Sequence, residues 1–282
     1  MGFGNLWHKF KMGFVRLGAP SIPHTTQAKR YGDYGERNLV QVIQKRLPDC
    51  KIKMNVVIHS AEGNGEIDCI ILYQNKLFAI EIKSWKGSIR EQNGTMIQTK
   101  IDQWTGEKHV KHHKSPFKQL ARAIYLLRQQ VPEKAWINSV VFFENATKVS
   151  VNDESTYFTD VDSLIRYITA EGRVSSNEGA TRFFGACIPS DYVRAENWGN
   201  SLHCLICDES LRFNVGATIL TRQDIRSIQI DHHWSYDDLH IETLDGKHHQ
   251  VALDNGTLFV QENGHKYGYA LCKIAYIELG MI

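Results

Sequence analysis

Two carboxylates and a lysine stand close together in the first third of the chain, at a spacing that suits chemistry on a phosphodiester. Asp68 lies within residues 66–72, and Glu81 and Lys83 lie at the end of residues 76–83. Two carboxylates can hold a divalent metal ion and its water, and a neighbouring ammonium can stabilise charge on a phosphate. The structural alternative is that the same side chains form a salt bridge on a wet sheet face.

Two neighbouring strands must position these residues. Residues 66–72 and 76–83 are rich in β-branched and apolar side chains, and the Gln-Asn pair between them suits a hairpin turn. Because side chains alternate between the faces of a strand, Glu81 and Lys83 share one face. Antiparallel pairing of the two strands then brings Asp68 beside Glu81.

Four short segments follow one another in a characteristic order: Gly35-Glu36, Gly65–Asp68, Ile80–Gly87 and Ser115–Leu120. Together they resemble the nuclease-related (NERD) domain, a branch of the PD-(D/E)xK, or restriction-endonuclease-like, phosphodiesterases. The resemblance covers roughly residues 30 to 145, and Ile80–Gly87 is its most specific part. It implies an α/β fold with a restriction-endonuclease-like core, in which helices flank a central mixed sheet.

The resemblance also implies an activity, hydrolysis of DNA by a metal-dependent endonuclease or exonuclease, with RNA as the alternative substrate. Asp68 and Glu81 would bind Mg²⁺, with Mn²⁺ as the alternative ion, and Lys83 would orient the water or stabilise the transition state. Glu36 would add a metal ligand, and Gln119 would hold the substrate or Lys83. The structural alternatives are that Glu36 complements a helix dipole and that Gln119 lies on a solvated surface.

Charge is divided unevenly along the chain although its net value is only +2. The first 130 residues carry 21 Lys and Arg against 10 Asp and Glu, whereas the remainder carries 12 against 21. A basic region attracts the phosphate backbone of a nucleic acid. Alternatively, the uneven distribution of charge can serve only to attract two domains of one chain to each other. The best phosphate-contact candidates are Lys86, Arg90, Lys111 and Lys114.

Several functional classes are disfavoured by composition. No run of apolar residues is long enough to span a membrane, and the N-terminus lacks the features of a signal peptide, so we expect a cytoplasmic protein without a membrane partner. The spacing of the six cysteines indicates no disulfide framework. Cys204 and Cys207 form a lone Cys-x-x-Cys pair, and we do not expect structural zinc.

Changes in composition and residue pattern divide the sequence into four parts. We expect an N-terminal arm at residues 1–28, the nuclease-like domain at 29–170, a linker or long loop at 171–199 and a smaller β-rich domain of unrecognised family at 200–282. The β-rich domain is a candidate surface for a protein partner. Two alternatives to an active nuclease stay open: a nucleic-acid-binding or regulatory module without activity, and a nuclease masked by its acidic C-terminal half.

Local patterns predict the main elements of the nuclease-like domain. Helices are predicted at residues 29–47 and 117–130 and after a cap at 159 or 160. Strands are predicted at 52–59, 66–73, 76–83 and 136–143, with a further hairpin around Gly94. Residues 100–114 are predicted to form a basic loop.

Overall fold

The computed structural model contains mixed β-sheets and a few helices, so the protein belongs to the α/β class. It divides into two compact units, residues 27–189 and residues 1–26 with 190–282. The structure describes residues 18, 22, 27–60, 62–131, 134–151, 156–170, 179–196, 200–233, 236–253, 256–262 and 265–280, and of 27–33, 59 and 262 only the backbone.

The unit at residues 27–189 is built on a five-stranded sheet. Its strand order is β1-β2-β3-β7-β9, antiparallel from β1 to β3 and parallel from β3 to β9. The bounds are β1 Lys51–Ser60, β2 Gly63–Tyr73, β3 Lys76–Lys83, β7 Ile137–Phe143 and β9 Tyr157–Phe158. The turn between β2 and β3 has positive φ at Gln74 and Asn75, as expected of a two-residue hairpin turn. All four strands that the sequence predicted here are confirmed within a few residues.

Helices cover both faces of this sheet. Their bounds are α1 Gln27–Arg46, α2 Pro116–Gln130, α3 Val161–Thr169 and α4 Ala180–Ala186. Residues from α2 and α4 pack with one set of sheet residues, and residues from α1 and α3 pack with a second set. The predicted cap of α3 is confirmed at Asp160, which accepts a hydrogen bond from the first turn of that helix, and Ser115 caps α2 in the same way.

A second, four-stranded sheet of the same unit has the order β6-β5-β4-β8. The bounds are β4 Gly87–Gln92, β5 Thr95–Ile101, β6 Lys108–Lys114 and β8 Ala146–Ser150. The predicted loop at residues 100–114 is therefore wrong, because β6 pairs with β5 along its whole length. Lys108–His112 is exposed on both faces, so no alternation of apolar and polar residues marks it as a strand.

The other unit holds an antiparallel eight-stranded sheet of order β16-β15-β14-β19-β10-β11-β17-β18, and β12 and β13 pair separately. The bounds are β10 Asp191–Ala195, β11 Ser201–Ile206, β12 Phe213–Val215, β13 Thr218–Leu220, β14 Ile225–His232, β15 Asp237–Thr243, β16 His248–Leu253, β17 Thr257–Glu262, β18 His265–Ala270 and β19 Ile274–Glu278. Ile22, from the start of the chain, lies in the core of this unit, and Asn200 donates a hydrogen bond to its carbonyl.

The expected linker at residues 171–199 contains regular structure. The helix α4 belongs to the first unit, where Phe183 and Phe184 are buried, and β10 belongs to the second. Residues 171–178 lie outside the described part of the chain, as does most of the expected arm at 1–28, although α1 already begins at Gln27. No described helix combines the length and the hydropathy needed to cross a bilayer.

Candidate active site

The candidate site lies where two strands of the five-stranded sheet stop pairing. The ladder between β2 and β3 runs from Tyr73–Lys76 to Cys69–Ile80, while β3 continues its pairing with β7 as far as Lys83. Beyond that point the Asp68 carboxylate takes the place of a backbone acceptor, because its Oδ2 accepts the N–H of Ile82 at 2.7 Å. Asp68 is thereby fixed against the end of β3.

A local irregularity in the neighbouring strand explains this position. The β1–β2 ladder pairs Met54 with Cys69 and then Val56 with Ile67, so Asn55 falls between two paired residues, and its φ of +48° is unusual for a strand. Met54 and Cys69 belong to the core beneath α1, whereas Val56 and Ile67 belong to the core beneath α2. The hairpin therefore twists at the level of Asp68.

Glu81 and Lys83 form an ion pair on one face of β3, as the alternation predicted. Glu81 Oε1 lies 2.5 Å from Lys83 Nζ, and their side chains are only 7% and 22% exposed. Ile80 and Ile82, which alternate with them along β3, pack in the core beneath α1 and α3. An ion pair in this environment is weakly screened by solvent, so its charges act strongly on neighbouring groups.

The site carries more negative than positive charge, and the pKa values reflect this. Burial, and then the charge of Asp68, raise the pKa of Glu81 to about 7 despite the opposing effect of Lys83. Burial would lower the pKa of Lys83, but the carboxylates of Glu81, Asp68 and Glu36 outweigh it and the pKa is raised. The site therefore combines a protonated lysine with a carboxyl group that ionises near neutral pH.

Glu36 is brought to the site by a close approach of α1. Its charge contributes to the raised pKa values of Lys83 and of the Cys69 thiol. The preceding Gly35 permits this approach, since a Cβ there would clash with Glu144 Oε2 and Ser84 Oγ. The structure thus groups Glu36 with the three central residues that the sequence indicated.

Three further polar residues lie at the site that sequence reasoning did not assign to it. Ser84 Oγ donates to Glu144 Oε2 at 2.5 Å, and the Glu144 N–H donates to the carbonyl of Lys83 at 3.1 Å. Glu66 also acts electrostatically on Glu81. The alternation of β2 places Glu66 on the same strand face as Asp68, so this residue could have been found from the sequence.

His113 connects the site to the second sheet. Its ring stacks on Trp85, with centroids 4.2 Å apart, and its Nε2 lies 3.1 Å from Gln98 Oε1. Gln98 donates through Nε2 to the Lys86 carbonyl, so Oε1 faces the imidazole and Nε2 of His113 carries the proton. Burial and then the positive charge of Lys111 lower the pKa of His113, and Lys83 contributes in the same direction.

Gln119 lies in the first turn of α2, as predicted, but its side chain is exposed. Among the described residues, it makes no hydrogen bond to Asp68, Glu81 or Lys83. The four predicted phosphate contacts are also exposed and lie on or just before the four-stranded sheet: Lys86, Arg90, Lys111 and Lys114.

The donor set suits Mg²⁺ in chemical type. Asp68 and Glu81 offer the hard oxygen ligands that this ion prefers, and Mg²⁺ keeps several waters of its own. The surplus of negative charge around Lys83 also favours a cation. Within the described part of the chain, however, no group of three His, Cys, Asp or Glu residues is arranged to hold a metal. The described residues therefore offer a metal ion two carboxylates, those of Asp68 and Glu81, and Glu36 is the candidate for a third.

The Cys-x-x-Cys pair lies in the other unit. Cys204 is buried in β11, and Cys207 follows that strand with partial exposure. Burial raises the pKa of the Cys207 thiol, and the charge of Glu209 acts in the same direction. A raised pKa favours the neutral thiol, which is a weak metal ligand.

Comparison with known proteins agrees with the family that the motifs indicated. Residues 31–144 match the family model of the nuclease-related domain, which is placed in the PD-(D/E)xK superfamily. The chain is also 27% identical over 141 residues to a protein of Streptomyces coelicolor named probable kinase PglW. That alignment covers 46% of this chain and 9% of the relative, so the chain spans a small fraction of the protein that carries the name. No solved structure matches the chain.

Proposed function

The chain carries a nuclease-related domain at residues 31–144, and on that premise we propose that it is a metal-dependent nuclease that hydrolyses phosphodiester bonds of DNA. The observation that carries the proposal is the placement of Asp68, Glu81 and Lys83 together at the point where β2 and β3 separate. The helix-covered mixed sheet around them fits a restriction-endonuclease-like core. We also propose Mg²⁺, with Mn²⁺ as the alternative, as the cofactor.

Asp68, from the middle of β2, and Glu81, near the end of β3, would hold the metal ion. When bound, Mg²⁺ lowers the pKa of a coordinated water and neutralises charge that develops on the phosphate. Asp68 is positioned for this by the hydrogen bond that its Oδ2 accepts from the Ile82 N–H. Glu36 would contribute a further carboxylate, directly or through a water.

Lys83 would act on the reacting phosphate rather than on the metal ion. Its ammonium remains protonated at neutral pH because the surrounding carboxylates raise its pKa. In that state it can donate hydrogen bonds to the attacking water or to the phosphate oxygens as negative charge accumulates on them. Its ion pair with Glu81 holds the ammonium 2.5 Å from a carboxylate oxygen of that proposed metal ligand.

The exposed cations of the four-stranded sheet would position the nucleic acid. Lys86, Arg90, Lys111 and Lys114 are all accessible to a phosphate backbone, and contacts of this type orient a substrate without reading its sequence. Gln119 is exposed on α2 and would contact the substrate from that side. RNA is the alternative substrate, and the sheet of the other unit is a candidate surface for a protein partner.

The deciding experiment is a cleavage assay of the full chain on linear, circular and single-stranded DNA and on RNA, with Mg²⁺ and with a chelator. We expect metal-dependent cleavage of DNA that Glu81→Gln and Asp68→Asn each abolish, because each removes a charged ligand at nearly constant volume. Asp162→Asn is the matched control, since it removes an exposed carboxylate of the same unit and should cleave normally. Wild-type rates for both site variants, at matched thermal stability, would contradict the metal assignment.

One observation favours a second candidate, a nucleic-acid-binding module without catalytic activity. The described residues include no three-ligand metal cluster, so a bound ion would depend on water and substrate for its remaining ligands. In that case the full chain would bind DNA, and neither Mg²⁺ nor Mn²⁺ would produce cleavage. The same assay separates the two candidates.

A further inference from the structure

The β5–β6 hairpin projects beyond the sheet to which it belongs. The last pair between β4 and β5 joins Ser88 to Thr99, whereas β5 and β6 remain paired as far as Ile101 and Lys108. Beyond Thr99 the hairpin is therefore two-stranded, and every residue from Lys108 to His112 is exposed. A two-stranded hairpin gains little from packing, so its order must come from its own turn.

The turn at the tip of this hairpin has a well-defined backbone. Asp102 Oδ1 accepts the N–H groups of Trp104 and Thr105 at 2.9 and 2.8 Å. The Asp102 N–H donates to the Glu107 carbonyl, and the Gly106 N–H donates to the Asp102 carbonyl, both at 2.9 Å. Asp102 thus organises the turn, in the manner of an Asx turn.

Trp104 projects from this ordered turn into solvent. Its side chain is 97% exposed, and nearby Ile101 is 68% exposed. A rigid turn that presents an indole loses little conformational entropy when the indole is covered by a ligand. Trp104 is thus well placed to stack on another flat group.

The charges around the tip indicate the kind of ligand. The hairpin, from residue 100 to residue 114, carries four lysines and three histidines against two acids, Asp102 and Glu107. The Asp102 carboxylate is occupied by backbone N–H groups of the turn, and Glu107 lies 3.9 Å from His109. Lysines beside an exposed aromatic ring are the combination that binds the backbone and the bases of a single strand.

We propose that Trp104 stacks on an unpaired base, so that the substrate of the nuclease is single-stranded nucleic acid or a single-stranded extension of a duplex. This inference rests on the function proposed above and specifies its substrate. In a duplex the faces of the bases are covered by their neighbours, whereas a single strand exposes them to an aromatic side chain.

The hairpin connects this contact to the candidate active site. His113 lies near the base of the hairpin. In addition to burial, the positive charges of Lys111, Lys100 and Lys83 lower its pKa. Five residues separate His113 from Lys108, which is about 17 Å along a strand. The stacked base would therefore lie several nucleotides away from the scissile phosphodiester, and the lysines between would follow the backbone.

The test measures binding by the full chain in a chelator-containing buffer, where no cleavage occurs. The probes are a fluorescein-labelled oligodeoxythymidine and a blunt duplex of the same length. Trp104→Ala should weaken binding of the single strand roughly 5- to 20-fold and binding of the duplex less than about twofold. Trp104→Phe should restore most of the affinity, because a phenyl ring still stacks.

Trp136→Ala is the matched control, since it removes another exposed indole (60%) of the same unit, outside the hairpin, and should leave both affinities unchanged. Equal losses for Trp104→Ala and Trp136→Ala, or no loss for either, would overturn the inference. So would equal losses on both probes. A loss confined to binding of anionic lipid vesicles would instead assign the hairpin to a membrane surface.

Cleavage measured on the same variants separates this inference from the proposed function. If the wild-type chain cleaves DNA and Trp104→Ala binds the single strand normally, the stacking contact is wrong and the nuclease stands. If Trp104→Ala loses single-strand affinity selectively while no metal supports cleavage, the contact stands and the nuclease is wrong.

Discussion

At the scale of single residues, the candidate site is defined by an imbalance of charge. The charges of Asp68 and Glu66 act on Glu81, and those of Glu81, Asp68 and Glu36 act on the ammonium of Lys83. Such an excess is unfavourable in a partly buried site unless a cation or protons neutralise it. Burial, and then the charge of Asp68, raise the pKa of Glu81, and we expect this to make the site responsive to both pH and metal ions.

Lys83→Ala tests whether the lysine acts in the transition state. We expect turnover to fall by about 100-fold or more while affinity for DNA stays within about twofold, because the ammonium would stabilise charge that is absent from the bound substrate. Single-turnover cleavage rates and binding in chelator measure the two effects separately. If binding and turnover fall together, Lys83 is a phosphate anchor instead.

The raised pKa of Glu81 predicts a pH dependence of stability. A carboxyl whose pKa is higher in the folded chain contributes stability that is complete below its usual value of 4.5 and is lost as the pH rises through about 7. For the metal-free protein, this contribution should change by on the order of 1–3 kcal/mol across that range.

Urea unfolding of the wild type and of Glu81→Gln at about pH 5 and about pH 8 isolates this contribution. Relative to the wild type, the variant should be more stable at the higher pH than at the lower. Added Mg²⁺ should stabilise the wild type more at the higher pH, because the metal binds the ionised carboxylate. A difference between the two proteins that is independent of pH would show that Glu81 ionises normally.

At the scale of elements, the site depends on where strands cease to pair and on how closely one helix approaches. Pairing of β2 with β3 ends at Cys69, the residue that follows Asp68, and α1 approaches the end of β3 at Gly35. Neither the strands nor the helix would form a site alone. Their junction brings Glu36 and Asp68 to the ion pair of Glu81 and Lys83.

Gly35→Ala should disturb this junction. The added methyl group would meet the ends of Glu144 and Ser84, which can shift, so we expect the chain to fold with a loss of about 0.5–2 kcal/mol. Cleavage should fall roughly 10- to 100-fold, because Glu36 moves with the helix.

The control for this substitution is Gly185→Ala in α4. No atom lies within 4 Å of the added methyl group there, so alanine should be neutral or stabilise the helix by up to about 1 kcal/mol. Thermal unfolding and initial cleavage rates measure both variants. Wild-type activity in Gly35→Ala would exclude a role for the approach of α1.

The elements that the sequence predicted well are those with strong local patterns. Strands β2 and β3 are apolar runs joined by a two-residue turn, and α2 has a serine cap followed by proline. The elements that were missed depend on tertiary context. Strand β6 is polar on both faces and is ordered by pairing with β5, and α4 is a short helix whose phenylalanines become buried only in the folded unit.

The candidate site was predictable to a similar degree. The alternation of β3 predicted that Glu81 and Lys83 share a face, whereas neither the hydrogen bond from Ile82 to Asp68 nor the positive φ of Asn55 is marked by any pattern. Trp104 was not identified, because a lone tryptophan between polar residues has no sequence signature. Its exposure and its ordered turn are visible only in three dimensions.

At the scale of the whole molecule, charge is divided less unevenly between the two structural units than between the residues before and after position 130. Residues 27–189 carry 23 Lys and Arg against 18 Asp and Glu, a net +5, and the remaining residues carry 10 against 13, a net −3. The unit at residues 27–189 is still the more basic of the two. The difference in net charge is smaller than the sequence predicted, because acidic residues after position 130 belong to this unit. Masking by the other unit therefore remains a proposal with a weaker electrostatic basis.

A fragment spanning residues 27–189 tests the boundaries. It should unfold cooperatively, whereas a fragment ending at residue 170 should be destabilised by more than about 5 kcal/mol, because it lacks the buried Phe183 and Phe184 of α4. Lys53 would also lose its hydrogen bonds to the carbonyls of Gly185 and Cys187. Equal stability of the two fragments would show that α4 is dispensable.

The longer fragment also tests masking. If the acidic unit competes for the basic surface, the fragment should bind DNA more tightly than the full chain at low salt, and the difference should shrink as salt rises. A folded fragment that binds DNA more weakly than the full chain would instead make the β-rich unit a binding platform.

The β-rich unit combines residues from both ends of the chain, which affects the order in which the two units can fold during synthesis. Ile22 is synthesised early but packs in a core whose other residues begin at Val193, after the whole unit at residues 27–189. At roughly 5–20 residues per second, translation of residues 190–282 takes on the order of 5 to 20 s. During that interval each nascent chain holds all of residues 27–189 while the β-rich unit is unfinished, so a chain terminated near residue 189 would release the first unit without the second.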